Sequence, residues 1–156
     1  MEYFDGNLAR ETGRLSRWSG KIWHRRYHSA IVNNDEKSQL ERLRYIMSNG
    51  CKEGLVSSPL QWPGTSSTLA LLDGSMSLKG KWFDRSQEYR ARKAGHPQVF
   101  ATEEWVRLSP LPSLAHMSQR EFQTSIGEMV EQIEAETAFM HRLQGTKPAG
   151  AKWVSR

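Results

Sequence analysis

A single cysteine, Cys51, stands in a chain of 156 residues. Without a second thiol, an intramolecular disulfide and a CxxC metal site are both excluded. The residue reads as inert packing in a reducing compartment. No apolar run is long enough to cross a bilayer, and the residues after Met1 lack the pattern of a signal peptide. The expectation is a cytoplasmic chain with no membrane partner. Also missing are an H-x-H or HExxH histidine pair, a P-loop, a dinucleotide fingerprint and a G-x-S-x-G elbow. His24 and His28 fall on one face of an extended segment but lie about 13 Å apart, far for two ligands of one metal. Hydrophobic residues make up only 37% of the chain, which predicts a modest core. Six Trp and five Phe partly offset this, because each aromatic ring buries a large area.

Acids are scarce where bases are dense. Arg10, Arg14, Arg17, Lys21, Arg25 and Arg26 face a single acid, Glu11, before His28. That stretch carries a net +5, as much as the whole chain. A local basic stripe is the footprint of a phosphate-binding surface. Aromatic rings interleave with these cations in "RWSGKIWHRRYH", which suits single-stranded nucleic acid: rings stack on bases while Arg and Lys follow phosphates. Burial of Trp18 and Trp23 in a core is the competing reading.

Periodicity supplies the elements. Phe4, Leu8, Leu15 and Trp18 predict a helix from Tyr3 to Trp18 ended by Gly20, with Arg10, Arg14, Arg17 and Lys21 on a second ridge. "KIWHRRYHSAIV" reads as a strand. Asn33 and Glu36 have capping-box spacing ahead of a helix from Asp35 to Asn49 that buries Leu40, Leu43, Ile46 and Met47, with Gly50 as its left-handed cap. A turn is expected at Asp73–Gly74. "KWFDRSQEYRARKAG" predicts a short helix closed by Gly95, and the prolines of "WVRLSPLPSL" predict an edge strand or extended connector. Ser118 and Glu121 open a long helix with Phe122, Ile126, Met129, Val130, Ile133 and Met140 on one face.

Tyr45 does not belong to the apolar stripe of its helix. At 100° per residue it lies nearly opposite, with Glu41, Arg42, Ser48 and Asn49 one turn away. A phenol needs a neighbouring cation or metal to act as a nucleophile at neutral pH. Arg42 and Lys52 offer positive charge and Asn49 an oxygen ligand, while Glu41 opposes phenolate unless it serves as a base.

In order along the chain, "WHRRYHSAIV", "RLRYIMSNGCKEGLV" and "PLQWPGTSS" resemble the REP-associated tyrosine transposases, a branch of the single-strand HUH transposases. The resemblance covers roughly residues 1–67. It implies a partial ferredoxin-like HUH domain, arranged helix–strand–helix; with the mainly helical C-terminal extension read from periodicity, the expected fold is α+β. It implies that Tyr45 attacks a DNA phosphodiester to form a 5′-phosphotyrosine link, and that Asn49 lends a ligand to a divalent metal, Mg or Mn. In that family the metal is held by an H-x-H strand ahead of the helix that here begins near Met1. The chain is therefore expected to start after the metal site and to lack several strands, leaving a sheet edge open to homodimer formation. Gly50 stands where the family has proline.

The implied partner is DNA in single-stranded hairpin form, gripped by Arg10, Arg14, Arg17, Lys21, Arg25, Arg26 and Lys52. The expected organisation is a transposase-like portion over 1–67, a loop-rich extension over 68–117, an amphipathic helix over 118–144 and a disordered tail over 145–156. Two other functions remain open: a non-catalytic nucleic-acid-binding module in which Tyr45 stacks on bases, and a protein-interaction domain working through the long C-terminal helix.

Overall fold

The computed structural model describes residues 2–15, 17, 20, 21 and 31–155, with side chains from residue 6 to 13 in the first of these segments. Contacts divide the chain into two units, Met1–Ile31 and Val32–Arg156.

The first unit contains helix α1 (Glu2–Leu15). It is shorter than the periodicity predicts. Arg17 has φ of 53°, in the left-handed region that does not continue an α-helix, so the helix stops ahead of Gly20. The expected strand in "KIWHRRYHSAIV" falls mostly on residues 22–30, outside the described residues.

The second unit is mixed α and β, with a core built by two helices. Helix α2 (Glu36–Lys52) starts at Asp35, whose carboxylate accepts the backbone N–H of Ser38 at 2.8 Å. Asp35 takes the capping place expected of Asn33 because its extended backbone aims the carboxylate at the exposed first-turn amides. Met47 and Cys51 are buried, and Leu40 and Leu43 pack against the same cluster. Ile46 was expected in that stripe but is 66% exposed. The buried face is rotated from the expected stripe and takes in Gln39, Ser48 and Cys51 instead. Both ends of buried Gln39 are bonded: its amide nitrogen donates to Asn34 Oδ1 at 2.9 Å, and its oxygen accepts from Ser113 Oγ at 2.8 Å.

Gly50 does not cap α2. The helix runs on to Lys52, and Gly54, with φ of 65°, makes the left-handed turn. Gly50 has a packing role instead. A Cβ there would come within 2.9 Å of Trp62 Cε3, so the bare backbone lets the indole lie against the helix.

Helix α3 (Thr68–Leu72) packs Ala70 and Leu71 inward, and Asp73–Gly74 turns the chain as expected, with Gly74 at φ 72°. Strand β1 (Ser77–Phe83) pairs antiparallel with strand β2 (Ala101–Arg107), Ser77 opposite Arg107 and Phe83 opposite Ala101. Helix α4 (Arg85–Lys93) is inserted between the two strands, capped by Asp84 and followed by Gly95 at φ 81°. A helix was expected across "KWFDRSQEYRARKAG", but its first three residues belong to β1. The region expected to be loop-rich thus contains a hairpin. Every residue of β2 is exposed, so the inside–outside alternation that marks a half-buried strand is missing.

Helix α5 (Gln119–Gln144) begins with the expected capping box: Ser118 accepts from Glu121 N–H, and the Glu121 carboxylate accepts from Ser118 N–H at 2.8 Å. It packs on α2, α3 and the short turn Pro59–Gln61, burying Phe122, Ile126, Met129, Val130 and Ile133 in a cluster that also holds Leu71 and Leu114. Sealing one such aliphatic side chain contributes about 2 kcal/mol. Met140 is exposed, beyond the reach of this packing. Cys51 joins the cluster from the α2 side.

Residues 145–155 are tied down where disorder was expected. Ala149 N–H donates to Gly54 C=O at 2.9 Å and Gly150 N–H to Leu55 C=O at 2.8 Å, and the short helix α6 (Ala151–Val154) follows.

Candidate nucleic-acid interface

Tyr45 lies on the outer face of α2 and is 52% exposed. The helix is fixed on its other side by Met47 and Cys51, both buried, which turns position 45 toward solvent. Lys52, two turns further on, folds back so that its ammonium sits 4.8 Å from the centre of the Tyr45 ring. A cation over an aromatic face is attracted by the ring's quadrupole, by about 0.5–1 kcal/mol at an exposed site. Asn49, Arg42 and Glu41 are exposed on the same helix. Arg44 is engaged elsewhere, donating to Glu136 on α5. The structure therefore brings Tyr45 and Lys52 into contact and leaves Asn49 one turn away.

As a metal ligand set these groups are poor. Asn49 offers one carboxamide oxygen, and the described residues gather no group of three or more His, Cys, Asp or Glu. Hard divalent cations take several oxygen donors, carboxylates above all, and this donor set does not fit one.

The N-terminal cations belong to the other unit. Arg10 is exposed on α1 and donates from Nη1 to Asn7 Oδ1 at 3.3 Å. Arg14 is within α1. Arg17 and Lys21 are exposed but follow the end of the helix, so the expected four-residue ridge stops at Arg14. Arg25 and Arg26 lie outside the described residues.

A second set of cation–ring contacts, which periodicity misses, lies on the hairpin. The Lys79 ammonium is 5.4 Å from the centre of the Trp105 ring, and the Arg85 guanidinium 4.8 Å from that of Phe83. The sequence around "KGKWFDR" shows only cations near aromatics; the Lys79–Trp105 contact itself comes from the pairing of two strands.

Compared with models of protein families, with characterised proteins and with solved structures, the chain matches none.

Proposed function

We propose that the protein is a transposase-like DNA-binding protein acting on single-stranded or hairpin DNA, with Tyr45 as the nucleophile. The observation that carries this reading is the exposed phenol of Tyr45 with the Lys52 ammonium against its ring. Residues 1–67 in this reading are a partial ferredoxin-like HUH domain, and the cations of α1 are available to DNA phosphates. In the chemical step the Tyr45 phenolic oxygen bonds to phosphorus, the bond from phosphorus to the 3′ oxygen breaks, the phenolic proton passes to a base and the leaving 3′ oxygen takes one up. The products are a 5′-phosphotyrosine and a free 3′-hydroxyl. Positive charge from Lys52 and Arg42 counters the charge that develops on the phosphate.

The same pair favours a second reading, a non-catalytic module. A half-exposed ring beside an ammonium is also a platform for one base and its phosphate. Incubation with a labelled hairpin oligonucleotide, with and without added Mg²⁺ or Mn²⁺, followed by a denaturing gel, separates the two. The proposal expects a covalent adduct with the parent protein and none with Tyr45→Phe. Binding without any adduct selects the stacking module, and equal indifference to single-stranded, hairpin and duplex DNA sinks both.

A further inference from the structure

The β1–β2 hairpin is an arm with its aromatic rings in water. Its strands contact chiefly each other. The base is fastened where Leu108 N–H donates to Met76 C=O at 2.8 Å, and the far end closes where Asp84 N–H donates to Phe100 C=O at 2.9 Å. The ladder between them is about 20 Å long. Trp105 is 60% exposed on β2 and Trp82 63% exposed on β1. A two-stranded hairpin gains little from such placement, because its rings bury little of the area that makes aromatics stabilising.

The two faces differ. Alternation and register place Lys79, Lys81 and Phe83 together with Trp105 and Arg107 on one face. Leu78, Trp82, Thr102 and Val106 share the other. The first face sets three cations and two flat rings around one acid, Glu103, which stands opposite Lys81. Acids are present: Glu103 pairs with Lys79 at 2.8 Å, with both side chains about half exposed. Such a pair is weak in water and yields to a competing phosphate. From Ser77 to Arg107, α4 included, seven Lys and Arg stand against four Asp and Glu, a net +3 within a chain of +5; the two strands alone hold three Lys and Arg against two Glu.

We propose that this cationic face of the arm is a binding surface for single-stranded DNA, with Trp105 stacking on an unpaired base and Lys79, Lys81 and Arg107 meeting the backbone phosphates. Charge complementarity selects a polyanion, and the exposed ring selects one whose bases are free to stack, which excludes an intact duplex. This surface deepens the DNA-binding reading above and rests on it for the partner. It does not depend on attack by Tyr45.

The test is fluorescence anisotropy with a labelled 20-nucleotide oligo(dT), made in the Tyr45→Phe background so that no covalent step contributes. Trp105→Ala is expected to weaken binding about tenfold and Trp105→Phe to restore most of it. Lys81→Gln is expected to weaken it less and to lower the salt dependence by about 0.7 in log–log slope. Circular dichroism checks that each variant stays folded, and the Phe variant keeps the test decisive if Ala perturbs the hairpin. Unchanged affinity in all three variants overturns the arm as a DNA surface, whatever Tyr45 does. If Trp105→Ala instead abolishes self-association while DNA affinity holds, the face belongs to a second copy of the chain and the inference is wrong. Loss of affinity with no covalent adduct in the parent leaves the arm standing and removes only the nucleophile.

Discussion

In the α2–α5 pair, Ile126 and Ile133 are sealed in the buried cluster that also holds Leu71 and Leu114; in the β1–β2 arm, Trp82 and Trp105 stand in solvent. Both regions belong to the same unit, and both are rich in large side chains. The pair uses its apolar groups to hold the fold, whereas the arm leaves them available to a partner. Stability and recognition therefore rest on different residues and can be changed separately.

The largest expected effect tests that separation directly. Ile126→Ala should cost about 3–4 kcal/mol in urea unfolding, because it removes a fully buried side chain and leaves a cavity. Trp82→Ala in the arm should cost less than about 1 kcal/mol. Similar losses for the two would erase the distinction.

Next comes Gly50→Ala. In an exposed helix interior this change gains about 1 kcal/mol. Here the new methyl meets Trp62 Cε3 at 2.9 Å and Val56 Cγ2 at 3.2 Å, so a net loss of about 1 kcal/mol is expected. A gain in melting temperature would show that Trp62 is free to move away.

Acid should loosen the helix pair through its caps. Hydrogen bonds from Ser38 hold the Asp35 carboxyl below its ordinary range, and those from Ser118 do the same for Glu121. Because the folded values are lowered, these contributions are complete at neutral pH and are lost as pH falls below about 4, through the folded values. A melting series from pH 6 to pH 2.5 should show the decline, and Asp35→Asn, which keeps a capping oxygen but does not titrate, should flatten part of it.

The smallest effect concerns Arg44 and Glu136, which join α2 to α5 at the surface. A double-mutant cycle should give a coupling below about 1 kcal/mol. A larger value would mean that charge shares with packing the work of holding the pair.

Much of the helix pair is legible in the sequence, because a 3.6-residue period and a Ser–Glu capping box are local signals that packing then confirms at Met47, Phe122 and Ile126. The misreadings have physical causes. Ile46 and Met140 are apolar but face outward, since periodicity says which side chains are oily and not whether a partner covers them. Gly50 and Gly54 are equally good caps by composition, and contact with Trp62 decides between them. The hairpin has no buried face, so no alternation betrays it. At the candidate site, the outward position of Tyr45 follows from its offset against the stripe, and Lys52 as its cation follows from spacing. The Lys79–Trp105 contact depends on strand register, which no local pattern encodes.

Cys51 is 4% exposed between the two principal helices, and burial pushes its thiol above the usual range, against a smaller opposing hydrogen bond with Thr137. Chemical labelling of this sulfur must therefore await a transient parting of α2 from α5. The rate of its modification by a thiol reagent becomes a native clock for that breathing motion, with no engineered probe and no second sulfhydryl to confuse the trace.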